Sequence, residues 1–120
     1  MTTLAYRPEA FVRARLEEAE TDARQVLTEN EILRRGGCSS PLWDEQDAWA
    51  RDTFANVASK RRVLDIIQPD LDAGTGAFTP DPQATMERWG KAYLIACALA
   101  LPWADHPDYS HKWAKEGATR

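Results

Sequence analysis

The run Ala92-Tyr-Leu-Ile-Ala-Cys-Ala-Leu-Ala-Leu101 is apolar at every position and is halted at once by Pro102. Ten such residues make a helix with no polar side, which in water must be covered on more than one flank and is too short to cross a bilayer. A chain holding this segment has to bring other helices and its own tail against it. The tail follows directly, as Pro102-Trp-Ala-Asp-His-Pro-Asp-Tyr-Ser-His-Lys-Trp113. It supplies Trp103, Tyr109 and Trp113 as covering area and also holds both histidines, so any centre built on imidazole must be built there.

The remaining pattern predicts two amphipathic helices before that central one. Pro8 opens the first, and Val12, Leu16, Ala19, Ala23 and Val26 form one stripe over residues 8–35, with Glu9–Arg13 and Glu20–Arg24 as charged pairs on the solvent side. Thr28-Glu-Asn-Glu31 has the form of a capping box and predicts a kink near 28–30, before Gly36-Gly37 ends the helix. Asp44 predicts the cap of a second helix over 44–67, with Trp43 stapled on Ala48 and a stripe of Ala50, Phe54, Val57 and Leu64 that Arg61 interrupts. Pro69 disfavours helical geometry at Gln68, so 68–81 reads as a loop. Asp81-Pro82 then opens a third helix over 82–101, and His106-Pro107 starts a short one over 107–114. No period-two strand pattern and no repeat occurs. The expectation is an all-α, antiparallel three-helix bundle with a short C-terminal helix or turn packed on it, one domain over 1–120.

Charge narrows the function classes. Fifteen bases stand against nineteen acids, for a net charge of −4. The first 52 residues account for that surplus, with eleven acids and seven bases. A nucleic-acid binder needs a basic stripe, and the dense basic runs are only Lys60-Arg61-Arg62 and Arg34-Arg35, so nucleic acid is not favoured. Cys38 and Cys97 are far apart and have no metal-ligand spacing, which fits a reducing compartment; Cys97 reads as a small core residue and Cys38 as an exposed thiol. With no basic leader and no spanning segment, a cytoplasmic location without membrane contact is expected.

Three blocks carry a resemblance: Phe11-Val-Arg-Ala-Arg-Leu-Glu-Glu-Ala-Glu20, Ala58-Ser-Lys-Arg-Arg-Val-Leu64, and Ala98-Leu-Ala-Leu-Pro-Trp-Ala-Asp-His-Pro-Asp-Tyr109. They resemble a family of small actinomycete and actinophage proteins of unknown function. That family's pattern at the last block reads Ala-Leu-Pro-Tyr-Ala-Asp-His-Pro-Asp-Tyr with a tryptophan four residues on, the place of Trp113. Family members often carry a longer insert after the first helix and histidines before the Lys-Arg-Arg block. This chain has Asp44-Glu-Gln-Asp-Ala-Trp-Ala-Arg-Asp52 there instead. The resemblance implies a helical protein of actinomycete or phage origin and implies no activity.

Asp105, His106, Asp108 and His111 are the one set with metal-ligand chemistry, against a structural reading in which Trp103, Asp105, His106, Pro107, Asp108, Tyr109 and Trp113 form a capped lid. No nucleophile-base-orienter set and no phosphate-cradling glycine motif is present, so no catalytic residue and no cofactor is expected. Five tryptophans exceed what one small core needs, and Trp43 and Trp49 lie among acids at the start of the second helix. They point to a non-enzymatic module that engages a protein partner or a second copy of itself. Contact with nucleic acid through Lys60, Arg61 and Arg62, and metal binding through the tail, are the two alternatives.

Overall fold

The computed structural model describes residues 7–37, 40–74 and 80–113. The chain is all-α: three long helices, α1 (Pro8–Arg35), α2 (Pro41–Gly74) and α3 (Pro82–Ala100), are followed by a 3-10 turn at Leu101–Trp103 and a helical stretch at 111–113. No strand occurs among the described residues. Proline stands first in all three long helices, where its missing N–H would have had no partner anyway and its fixed φ suits the first turn. At α3 the Asp81 carboxylate accepts the Ala84 N–H at 3.1 Å.

Three local expectations are corrected. The second helix begins at Pro41 rather than 44, because Ser40 is the cap: its Oγ accepts the Leu42 N–H at 3.2 Å. Its end also moves, from 67 to Gly74, so half of the expected 68–81 loop is helix and Pro69 lies inside it. An interior proline costs about 3 kcal/mol, and contacts on both sides of Pro69 offset that. Arg13 donates to Asp65 and Gln68 (3.0 and 3.2 Å), Gln68 donates across the proline to Asp72 (3.0 Å), Asp70 lies 3.6 Å from Arg88, and Leu71 is buried. At the Thr28 capping box α1 continues as one helix, and the Thr28 hydroxyl donates back to the Arg24 carbonyl, a bond that often bends a helix. Finally, the expected helix over 107–114 is turn at 107–108 and helical only from 111.

The residues gather into two compact units. One combines the start of the chain up to Arg15 with everything from Arg61 onward, and the other is Leu16–Lys60. The first unit is centred on Phe11 and Val12 of α1, Leu64, Ile67 and Leu71 of α2, Ala92, Ala96, Cys97 and Ala100 of α3, and Tyr109 and Trp113 of the tail, all buried. Small residues on the inner side of α3 let its neighbours come close. Gly74 shows how close: a Cβ there would collide with the Trp89 indole and lie 2.6 Å from its Cβ. The indole in turn stacks on Tyr93, with centroids 4.9 Å apart. The outer side of α3 is not covered as its composition predicts, because Ile95 and Ala98 are exposed, as is Leu101 in the turn that follows. The second unit is a helical hairpin whose buried apolar residues are Leu16, Ala23, Ala50 and Val57.

Candidate functional site

The tail anchors on the first turns of α1 through two of the three rings expected to cover the bundle, Tyr109 and Trp113. Trp113 is fully buried and Tyr109 nearly so, whereas Trp103 is half-buried and Asp105, Pro107 and Asp108 are exposed. Phe11 is the hub: its ring meets Trp113, His106 and Tyr109 at 5.1, 5.5 and 5.9 Å between centroids, and the Arg15 guanidinium lies 5.3 Å from its centre. His106 uses both nitrogens within this cluster. Its Nδ1 accepts the Asp108 backbone N–H at 3.0 Å and its Nε2 faces the Arg15 guanidinium. Among the described residues no three His, Cys, Asp or Glu side chains gather as metal ligands, so Asp105, His106, Asp108 and His111 do not form the centre their spacing offered. The imidazole is committed to packing and the acids point to solvent. Tyr109 buries a hydroxyl with no hydrogen-bond partner, and burial, helped by the nearby Cys97 thiol, pushes its phenol above the usual 10.0.

The basic run does not make a stripe. Lys60 and Arg61 are half-buried and engaged with other groups, and Arg62 is exposed. Arg61 falls on the inner stripe of α2, between Val57 and Leu64, which are both buried. Arg34 and Arg35 are drawn into ion pairs with Asp47 at 2.7 Å and Glu31 at 3.2 Å. The pairing expected between Glu9 and Arg13 is replaced by Arg7 with the buried Glu9 at 3.2 Å, while Glu20–Arg24 forms at 3.6 Å. Cys97 is buried, and Cys38 lies outside the described residues.

In the hairpin unit a polar clasp joins the two helices. Asp47 is only 6% exposed, accepts from Asn30 Nδ2 at 3.2 Å, and pairs through its other oxygen with Arg34 at 2.7 Å. The Arg34 and Asn30 hydrogen bonds hold its carboxyl below the usual 3.8. Arg34 also reaches Asp44 at 3.4 Å, and with Ser40, Pro41, Trp43 and Asp44 it lines an open cleft of about 320 Å³. The clasp was readable in principle: Asn30 continues the Ala23–Val26 stripe, and Asp47 lies between Trp43 and Ala50 at spacings of four and three. A polar residue in register with an apolar stripe signals a buried partner.

Trp43 and Trp49 do not share a face. Six residues apart on one helix, they diverge by about 120° at 100° per residue. Trp43 turns half-buried into the cleft, and Trp49 stays 49% exposed. The neighbour of Trp49 is instead Leu42, seven residues earlier on the same line and 55% exposed. An indole and a leucine exposed along one helix face, beside a hairpin with its own core, form an apolar surface patch.

A model of the family of unknown function DUF6221 matches residues 7–115, and the chain belongs to that family. No curated protein matches it. No solved structure does either. No helix among the described residues is long and apolar enough to cross a membrane.

Proposed function

We propose that this DUF6221 member is a small non-enzymatic binding module that engages a protein partner in the cytoplasm through the outward face of α2 around Trp49. The observation that carries the reading is the exposure of Trp49 together with Leu42 on one line of the helix. Tryptophan is the residue most enriched among side chains that dominate interface energies, and it is seldom left half in water without a use. Trp43 belongs to the supporting cleft instead, where its ring lies beside Arg34 and Asp44. The likeness of the tail to the actinomycete and actinophage block supports an origin in such a cell or its virus.

Photo-crosslinking tests the proposal in the source cell. A benzoyl-phenylalanine in place of Ala48, exposed next to Trp49, should trap a discrete protein, and the same residue in place of Asp22, exposed on α1 of the same unit, should not. Loss of that adduct in Trp49→Ala is expected. Identical adducts from both positions, or none from position 48, would sink the proposal.

A further inference from the structure

The face that carries Trp49 is acidic as well as apolar, and this defines the chemistry of what it can hold. We infer that the partner presents a basic amphipathic segment, an apolar stripe flanked by Lys or Arg, to the line Leu42–Trp49–Asn56 of α2; this rests on the binding role proposed above. At about 100° per residue, Leu42 and Asn56 lie within about 20° of Trp49 on the helix wheel, and Glu45 and Asp52 lie about 40° and 60° round on the solvent side. All five residues are exposed. No ion pair engages Glu45 or Asp52 among the described residues, whereas Asp44 and Asp47 are both taken up by Arg34. From Gly36 to Ala50 the sequence has three acids and no base. The cation nearest in sequence, Arg51, lies about 160° from Trp49 on the helix wheel.

The charge of the whole unit points the same way. Residues 16–60 hold ten acids and five bases, net −5, while the rest of the chain holds nine acids and ten bases, net +1. A segment with apolar side chains at i, i+3 or i+4, and i+7 could seat them on Leu42 and Trp49 while its cations meet Glu45 and Asp52 at the rim. Rim charges of this sort steer encounter and reject partners of like charge more than they tighten the complex. An acidic or neutral segment would meet the same indole but gain nothing from the two carboxylates, and an acidic one would be repelled. A second copy of the chain would have to bring its own net −5 hairpin or its nearly neutral remainder to the same face, which matches the acids less well.

The test uses two labelled helical peptides with the same leucine stripe, one flanked by lysines and the other by glutamates, titrated with the full chain at low salt and followed by fluorescence anisotropy. The lysine peptide should bind about tenfold or more tightly than the glutamate peptide, and Trp49→Ala should abolish the binding. The double variant Glu45→Lys/Asp52→Lys should reverse the preference. The control Glu17→Lys/Asp22→Lys makes the same change of net charge at exposed positions of α1 in the same unit, and should leave the preference in place. Equal effects of the two double variants would show attraction to charge in general and overturn the inference, as would equal binding of the two peptides. In either case an adduct at position 48 would still leave the partner-binding role standing. A Trp49-dependent dimer in light scattering, with neither peptide bound, would assign the face to a second copy and overturn the basic partner.

Discussion

Tyr109 concentrates what a single side chain can reveal here. Its ring supports Phe11 and Trp113, but its hydroxyl is buried without a partner, and an unsatisfied buried hydroxyl costs about 1–3 kcal/mol. Tyr109→Phe keeps the packing and removes the orphan. Urea unfolding at neutral pH should therefore find the variant as stable as the parent or more so, and a loss above about 1 kcal/mol would mean that the hydroxyl is satisfied. The pH dependence has a fixed sign. A phenol raised above 10.0 on folding contributes its full stability below pH 10.0 and loses it as pH rises towards the folded value, because the unfolded chain ionises first. The phenylalanine variant should lack that alkaline decline. Residue type did not rank the three tail rings: Trp103 is half-buried, Tyr109 nearly buried and Trp113 fully buried.

At the level of the helix, two glycines show how neighbours decide the sign of one substitution. Glycine inside a helix normally costs about 1 kcal/mol relative to alanine. Gly90, in α3, has no atom near the place of a Cβ, so Gly90→Ala should raise stability by about 0.5–1 kcal/mol. Gly74, in the last turn of α2, faces the root of the Trp89 side chain, and overpacking of this kind costs about 1–3 kcal/mol. Gly74→Ala should thus lower stability, and paired melting curves of the two variants check the opposite signs. The same contact explains why sequence reading stopped α2 too early. Pro69 is a sound local stop signal, but burial of Leu71 and the approach of Gly74 to Trp89 carry the helix past it.

Across the whole molecule the charge is uneven, and the acidic hairpin unit is where low pH should act first. Asp47 pairs with Arg34 as an ion only while ionised and accepts more strongly from Asn30 in that form, and its folded value lies below 3.8. Its contribution is therefore complete above the usual carboxylate value and is lost as pH falls below 3.8 through the folded value. Hydrogen exchange in acid should show amides of 16–60 opening before the remainder, and Asp47→Asn should blunt that dependence. Uniform opening of the two units would contradict it. The α-helical class, the places where α1 and α3 begin, and the inner stripes of α1 and α2 were all settled by sequence, because proline caps and 3.6-residue periodicity act within a few residues along the chain. Two things were decided only in three dimensions: the passage of α2 through Pro69 and the use of both His106 nitrogens in packing. Each depends on which residues distant in sequence come within a few ångströms, and spacing along one helix cannot supply that.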